Sequence, residues 1–332
     1  MPAFLPCTIV EPSSAAVGIV VDSPHSGMSW PDDFTPAASR DAILTTWDAF
    51  VDELWGDAPA AGATLLAANF PRAYVDVNRA ADDIDPELLA EPWPVPLSPT
   101  DFTRRGMGLI RRNALPDVPM YDRKLEPAEV AQRISTYYRP YRDALKGRLD
   151  ALYERFGAVW HINCHSMKSR GNAMNVDDGA ARPDFVVSDR HGTTADAAHT
   201  AWVAQWFRKR GHWVTVNEPY QGGDLVRSFG APALGRHSIQ VEINRALYMD
   251  EAAFARGARF GDIRALCGEF VRALALAPRR TASLLGLARA STAAGDMAAA
   301  AEAYAELRRI WHRADPDLPG LAEVTRQSAQ AR

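Results

Sequence analysis

The sequence predicts an α/β fold with a mostly parallel or mixed central sheet, helices on both faces of that sheet, and a C-terminal α-helical hairpin. Three observations support this prediction. Short runs of β-branched residues alternate along the chain with longer segments of helical periodicity. Polar residues follow several of these runs, as at the carboxyl ends of strands, where α/β sheets bind their ligands. Beyond residue 280 the composition changes to alanine-rich helical sequence.

The strands are predicted from short, mainly β-branched runs that end in glycine, proline or other loop residues. The first, 17–22, leads into the loop Ser23-Pro-His-Ser-Gly27. The other predicted strands are 64–68, 73–77, 159–164, 185–188, 213–216 and 238–243. Because residues 82–115 are rich in proline and polar side chains, we expect them to form long connecting loops.

The helices are predicted from apolar residues that recur three and four positions apart. The segments with this spacing are 41–55, 127–156, 194–210 and 252–275. Within the second of these helices, Pro140 is expected to introduce a kink, because proline has no backbone N–H to donate.

The C-terminal segment, 281–332, contains two alanine-rich helices on either side of Gly295-Asp296 and resembles a single tetratricopeptide-type helix pair. One such repeat cannot bury its own apolar face. Its predicted stripe must pack on the main domain, on another copy of the chain or on a protein partner: Leu284, Leu287, Ala288, Ala303, Tyr304, Leu307 and Trp311. We therefore predict a main domain over 1–277 and a helical appendage over 281–332.

Charge and cysteine content limit the functional classes. The formal charge of −4 and the pI near 6.1 argue against nucleic acid as a partner. Cys7, Cys164 and Cys267 are odd in number and widely spaced, which favours a reducing cytosol over a disulfide framework. The N-terminal residues lack the pattern of a signal peptide, and no apolar run is long enough for a membrane span. A cytoplasmic protein is predicted.

Two histidines lie at predicted strand ends and are candidate metal ligands. His25 follows the first strand, and His165 ends the run His161-Ile-Asn-Cys-His165. Residues 161, 163 and 165 share one face of this strand, with His161 deeper in the core. Two histidines and a carboxylate form a common catalytic zinc site with one position open for water. The ion lowers the pKa of that water to about 7.

Glu242 lies inside the apolar run 238–243, where an unpaired carboxylate is unfavourable. Two explanations fit the sequence. Glu242 forms a salt bridge with Arg245 or Arg79, or it is the second carboxylate that a zinc hydrolase needs to move protons.

Five short motifs follow one another over about residues 17 to 250: Ser23-Pro-His-Ser-Gly27, Arg72-Ala-Tyr-Val-Asp-Val-Asn-Arg79, His165-Ser-Met167, Asn217-Glu-Pro-Tyr-Gln-Gly-Gly223 and Glu242-Ile-Asn-Arg-Ala-Leu-Tyr248. In this order they resemble the motifs of the N-formylglutamate amidohydrolase family. That family is in turn similar to the zinc carboxypeptidases. The resemblance implies a zinc carboxypeptidase-like fold, one Zn²⁺ per chain and a role in histidine degradation.

The same resemblance implies roles for single residues. His165 would be the second zinc ligand, Glu242 the general base, and the pair Asn78-Arg79 a clamp for a substrate carboxylate. The carboxypeptidases take their first two ligands from His-x-x-Glu, whereas Met28 stands three residues after His25. The acidic ligand must therefore come from elsewhere.

Asp48 is the candidate for this acidic ligand, because members of the family carry an aspartate at the matching place. Asp52 is a rival, since it lies one helical turn later on the same predicted face. Asp22, three residues before His25 in the strand, is a weaker rival.

The family's substrate, N-formylglutamate, has two carboxylates, and arginine is the residue best suited to bind them. Arg72, Arg79 and Arg111 or its neighbour Arg112 are the candidates, with Arg72 also expected to share the oxyanion charge. The motif 217–223 adds two substrate-binding candidates, Asn217 and Tyr220, and Gly222-Gly223 would let the backbone approach the ligand.

These residues predict hydrolysis of the formamide of N-formylglutamate, or of a similar N-acyl acidic amino acid, to release formate and glutamate. Two alternatives remain open. One is a related zinc amidase or deacylase that acts on another N-acyl amino acid or a peptide-like amide. The other is a non-catalytic binding module that works through its helical tail, as a homo-oligomer or with a protein partner. A cluster of buried polar residues without a use is costly, which argues against the second alternative.

Overall fold

The computed structural model describes residues 5–276, 282–310 and 320–330. Its strands are β1 (Cys7–Val10), β2 (Ile19–Ser23), β3 (Thr64–Ala68), β4 (Asn113–Leu115), β5 (Val118–Pro119), β6 (Val159–Met167), β7 (Phe185–Ser188), β8 (Val214–Val216), β9 (Arg236–Asn244), β10 (Met249–Asp250) and β11 (Ala255–Arg256). Seven of these strands form the central sheet, in the order β1-β3-β2-β6-β9-β7-β8.

The central sheet is mixed, as the sequence predicts. Its four middle strands, β3, β2, β6 and β9, are parallel to one another. Strand β1 runs antiparallel to β3, and β7 runs antiparallel to β9, with β8 parallel to β7. The carboxyl ends of the four parallel strands therefore meet at one edge of the sheet.

The helices cover both faces of this sheet. They are α1 (Arg40–Leu44), α2 (Val51–Leu54), α3 (Asp101–Arg104), α4 (Pro127–Arg133), α5 (Arg139–Phe156), α6 (Ala197–Arg208), α7 (Asp224–Phe229), α8 (Phe260–Leu276), α9 (Ala282–Ala293), α10 (Met297–Ile310) and α11 (Leu321–Gln330). One apolar core lies between the sheet and α2, α6 and α8, and another lies between the opposite face and α5. The five inner strands, β3, β2, β6, β9 and β7, are buried on both faces, which explains their nearly continuous apolar sequence.

The expected helix over 41–55 is wrong. The chain forms the two short helices α1 and α2, with a non-helical segment that contains Asp48 between them. Phe50 has a φ of 60°, a left-handed conformation that a continuous helix cannot contain. The apolar spacing reflected burial of the segment and not a single helix.

Three further predictions need correction. Residues 73–77, expected as a strand, form turns and irregular chain, and β1 was not predicted. The helix predicted over 252–275 begins only at Phe260, after the β10–β11 hairpin. The helix predicted over 127–156 is divided into α4 and α5 by a π-helical turn over Ile134–Tyr138, which ends two residues before Pro140.

The C-terminal helices form a small apolar cluster of their own, and the expected helix pair is joined by a third helix, α11. Ala288, Ala303, Tyr304 and Leu307 are buried together with Val324 of α11. Leu287, expected in the buried stripe, is instead 53% exposed. The side chain of Leu284 and all of Trp311 lie outside the described residues. Within the described residues, no helix combines the length and apolar character that a membrane span requires.

Candidate active site

The side chains of His25, Asp48 and His165 meet in the interior of the protein, at the carboxyl edge of the parallel strands. All three are buried. His25 Nδ1 lies 3.0 Å from His165 Nδ1 and 3.3 Å from Asp48 Oδ2. His165 Nδ1 lies 3.0 Å from the same aspartate oxygen. The three atoms form a compact triangle of two imidazole nitrogens and one carboxylate oxygen.

This triangle fits a tetrahedral metal ion such as zinc. Ligand atoms bound to such an ion lie about 3.3 Å from one another, because each is about 2.0 Å from the metal. The observed separations of 3.0 to 3.3 Å are close to that value. Two histidines and one carboxylate also leave a fourth position free for water or substrate.

Three separate parts of the chain supply these atoms. His25 stands in the turn after β2, and His165 lies inside β6, which extends further than its predicted end. Asp48 reaches the site from the segment between α1 and α2, where its backbone N–H donates to the carbonyl of His25. The alternative ligand Asp52 belongs to α2 and is not part of the cluster.

Both histidines have an acceptor for the N–H on the side of the ring away from the cluster. His25 Nε2 lies 2.6 Å from Asp76 Oδ1. His165 Nε2 lies 2.8 Å from Asn163 Oδ1. If each Nε2 carries the proton, each Nδ1 is left with a free lone pair that points into the cluster. Partners of this kind orient the histidine ligands of metal sites.

Positive side chains surround the Asp48 carboxylate. Arg245 Nη2 donates to Asp48 Oδ1 over 3.1 Å, which leaves Oδ2 to face the two histidines. Arg72 Nη1 lies 3.8 Å from Oδ1. Burial alone would raise the pKa of Asp48, but the His165 and His25 rings hold it well below its usual range. The carboxylate is therefore ionised, as a metal ligand must be.

Glu242 lies beside the cluster on strand β9, directly opposite His165 of β6. Its Oε1 accepts a hydrogen bond of 2.9 Å from Gln240 Nε2. Among the described residues, Glu242 forms no ion pair within 4.0 Å, so the expected alternative of a salt bridge with Arg245 or Arg79 is wrong. Burial raises the pKa of Glu242, although His165 acts in the opposite direction. A raised pKa suits a carboxylate that accepts a proton near neutral pH.

A cavity opens next to the cluster, and cationic side chains line much of it. Its lining includes Arg72, Arg111, Lys168, Arg182 and Arg245, together with Asp48. The remaining residues are polar or apolar: Thr45, Thr46, Met107, Ala114, Ser166, Met167, Asn172, Met174, Asn175 and Tyr220. Because the excess charge is positive, the cavity favours an anionic ligand.

Arg111 differs from the other arginines in this cavity. Its side chain is 7% exposed, and its buried Nε has no hydrogen-bond partner within the described chain. Burial, together with the nearby Arg72, lowers the pKa of Arg111. A buried guanidinium without a counter-ion is unfavourable in the free protein. It is therefore suited to receive a carboxylate from a ligand.

The family model for N-formylglutamate amidohydrolases matches residues 17–249, which hold the whole cluster and most of the chain. The chain belongs to this family. It is thus a hydrolase that acts on a C–N bond other than a peptide bond. The helices α9 to α11 lie beyond the family match.

Individual relatives agree with this assignment. N-formylglutamate deformylase from Pseudomonas aeruginosa is 28% identical over 245 residues, which cover 71% of this chain and 84% of the relative. The crystal structure of N-formylglutamate amidohydrolase from Ralstonia eutropha is 42% identical, with a TM-score of 0.79, and covers 82% of this chain and 98% of that one. A protein from Agrobacterium tumefaciens shares the fold, with 17% identity, a TM-score of 0.58, and coverage of 81% of this chain and 96% of that one.

In this amidohydrolase the predicted clamp residues Asn78 and Arg79 lie outside the lining of the cavity. The Asn78 amide lies 3.1 Å from His165 Nε2 and accepts from the backbone N–H of Leu225. Arg79 donates to the backbone carbonyls of Met107 and Asn78. Both side chains are therefore occupied by the protein in this structure.

The motif over 217–223 contributes one side chain to the amidohydrolase cavity, that of Tyr220. Asn217 is engaged elsewhere, with its amide paired to the backbone and side chain of Asp189. Gly223 is required by a close approach, since a Cβ there would lie 2.3 Å from the Asn78 amide. Of the two candidate arginines in the 106–112 loop, Arg112 is turned away and binds Asp85 and Glu87.

Five residues of the site were not predicted: Asp76, Asn163, Lys168, Arg182 and Arg245. A usable signal existed for three of them. Asp76 and Arg245 each lie inside a recognised motif, and Asn163 precedes His165 by two positions on the same strand face. Lys168 and Arg182 carried no comparable signal, because only the folded chain shows that they face the cavity.

Proposed function

We propose that this protein is a zinc-dependent deformylase that hydrolyses N-formylglutamate, or a closely similar N-acyl acidic amino acid, to formate and glutamate. One observation carries the proposal: the buried triangle of His25, Asp48 and His165 borders a cavity lined with cationic side chains. The names of the curated relatives support the same substrate.

The metal would be held by His25 Nδ1, His165 Nδ1 and Asp48 Oδ2. Zinc bound there would supply Lewis-acid chemistry, by polarising the acyl oxygen and lowering the pKa of a water molecule to about 7. The protein's own contribution is orientation. Asp76 and Asn163 fix the two imidazole rings, and Arg245 fixes the carboxylate.

Glu242 is the proposed general base. It stands on the same face of the sheet as His165 and has one carboxylate oxygen, Oε2, with no hydrogen bond among the described residues. Glu242 would take the proton of the attacking water and return it to the departing amine. Burial raises the pKa of Glu242 toward that of the water whose pKa zinc would lower. A close match favours both transfer of the proton to Glu242 and its return to the amine.

The substrate carries two carboxylates, and the cavity offers more than one cation to receive them. Arg111 is the first, because it is buried, forms no ion pair among the described residues, and has an Nε without a hydrogen-bond partner there. Lys168 lines the same cavity, as does Arg182, whose guanidinium is already paired with Asp177 and lies 5.2 Å from the centre of the Tyr220 ring. Arg72, held by Asp76 and near Asp48, is placed to share the negative charge that develops on the acyl oxygen.

The test is metal analysis of the purified protein together with a formate-release assay. We expect about one zinc per chain, and turnover of N-formylglutamate that chelation abolishes and zinc restores. A panel of N-formyl and N-acetyl derivatives of glutamate, aspartate, glutamine and leucine separates the proposal from its alternative. Preference for a neutral amino acid, or for acetyl over formyl, would assign a different deacylase activity to the same site.

A further inference from the structure

A hydrogen-bonded chain connects the buried carboxylate of Asp22 to the metal cluster. Asn163 Nδ2 donates to Asp22 Oδ1 over 2.8 Å, and Asn163 Oδ1 lies 2.8 Å from His165 Nε2. The arrangement follows from the sheet. Asp22 pairs with Asn163 across β2 and β6, and Asn163 and His165 share one face of β6.

Asp22 is held in place by three donors. Its Oδ1 accepts from His161 Nε2 over 2.7 Å as well as from Asn163, and its Oδ2 accepts from the Tyr141 hydroxyl over 2.7 Å. Burial alone would raise the pKa of Asp22, but His161, Asn163 and Tyr141 lower it below its usual range. Asp22 is therefore an acceptor on both oxygens.

This acceptor decides which way the Asn163 amide faces. Because a carboxylate can only accept, the amide nitrogen of Asn163 must face Asp22 and its oxygen must face His165. His165 Nε2 then has to carry the proton, and His165 Nδ1 keeps the lone pair that faces His25 and Asp48. Only this tautomer can bind a metal through Nδ1.

The orientation matters because His165 Nε2 has a second neighbour. Asn78 Nδ2 lies 3.1 Å away, and its amide is fixed by the backbone N–H of Leu225, so that this atom can only donate. A donor at Nε2 would favour the opposite tautomer, with the proton on Nδ1. The shorter contact to Asn163 opposes that tautomer.

We propose that Asp22 is a positioning residue for the metal site, which acts through Asn163 to hold His165 in the tautomer that leaves Nδ1 free. The inference rests on the proposed metal-dependent function. It assigns a role to a carboxylate that lies outside the ligand set.

The hydrogen bonds of Asp22 also suggest a serine-hydrolase triad, but burial excludes that function. Ser238, His161 and Asp22 are connected as in a serine hydrolase, since Ser238 Oγ lies 2.6 Å from His161 Nδ1. Their exposed fractions are 0%, 1% and 0%, so that no substrate reaches the hydroxyl. The three residues serve the interior of the protein, as expected for His161.

The experiment measures the metal affinity of the full chain after removal of metal, by competition with a chelator and by the visible spectrum of bound Co²⁺. We expect Asn163→Ala and Asp22→Ala each to weaken binding by about 10- to 100-fold, the usual effect of losing an outer partner of a histidine ligand. The double variant should bind the metal no more weakly than the weaker-binding of the two alanine variants, because both changes break the same hydrogen-bonded chain to His165. Asp22→Leu fills the vacated volume and is measured in parallel, in case the alanine variant folds poorly.

Two controls separate positioning from general destabilisation. Tyr141→Phe removes a hydrogen bond from Asp22 without touching Asn163, and should lower stability but not metal affinity. Asp22→Asn keeps an oxygen that can accept from Asn163, so its metal affinity should be close to that of the unchanged protein and well above that of Asp22→Ala. Multiplied losses in the double variant, or normal affinity in folded Asp22→Ala and Asp22→Leu, would overturn the proposal. Failure of the wild-type chain to bind Zn²⁺ or Co²⁺ would refute the metal site itself and, with it, this inference.

Discussion

Glu242 and His165 lie directly opposite each other on the adjacent parallel strands β9 and β6. Residues that face each other in this way keep their separation through the backbone hydrogen bonds of the sheet. A candidate base and a candidate metal ligand are thus fixed relative to each other without any contribution from a loop.

We expect Glu242→Gln to retain bound metal and to lower kcat by about 100-fold or more, because the amide cannot accept the water proton. The hydrogen bond from Gln240 can be kept through the remaining oxygen. Metal content and formate release are measured on the same preparation. Glu269→Gln, on an exposed part of α8, is the matched control. Near-normal turnover with metal retained would remove Glu242 from the mechanism.

His165→Ala should lose metal and activity together, because it removes one of three protein ligands. His161→Ala, on the same face of β6, should retain metal, since His161 binds Asp22 and Ser238 and not the cluster. The comparison uses metal analysis after gel filtration of both variants. Loss of metal from His161→Ala, with metal kept by His165→Ala, would reverse the assignment of the two histidines.

We expect Arg111→Met to be more stable but less active than the unchanged protein. Removing a buried charge that forms no ion pair within the described part of the chain should raise the free energy of unfolding by about 1–2 kcal/mol. Loss of the guanidinium should lower kcat/KM by about 10- to 100-fold, mainly through KM. Urea unfolding and steady-state kinetics measure the two effects. The control is Arg112→Met. Arg112 pairs with Asp85 and Glu87 outside the cavity, so this variant should leave kcat/KM unchanged.

The activity should depend on the charge of Lys168. Burial, with the nearby Arg245 and Arg111, lowers the pKa of Lys168 to about 8. The side chain of Lys168 is therefore charged below that pH, and it loses its charge as the pH rises through that value. If Lys168 binds a substrate carboxylate, kcat/KM should fall by about tenfold per pH unit above 8. Lys168→Arg stays charged and should remove this limb of the pH profile; an unchanged limb would assign it to another group.

Deleting residues 281–332 should leave turnover per active site intact, because each proposed catalytic and metal-binding residue precedes that segment. The apolar cluster of the C-terminal helices is held mainly by those helices themselves. We expect a change in solubility or oligomeric state, seen by gel filtration. A folded, metal-loaded truncation without activity would show that the helices complete the active site, and that the domain boundary is misplaced.

The sequence by itself determined the α/β class, six of the strands near their observed positions, and the identity of the two histidines that meet Asp48. It could do so because buried parallel strands have a strong apolar pattern, and because motif residues follow strand ends. His161 and His165 share one face of their strand, and their positions along it distinguished the deeper His161 from His165 near the strand's end.

Only the tertiary structure decided how the site is supported. Asp48 lies in a break that the apolar spacing of 41–55 concealed, because burial against two cores imitates a continuous helix. The pairing of Asp48 with Arg245 joins residues 197 positions apart, and that of Asn163 with Asp22 joins residues 141 positions apart. Contacts of this kind depend on the strand order and on which rotamers the packed interior permits. No local pattern in the sequence encodes them.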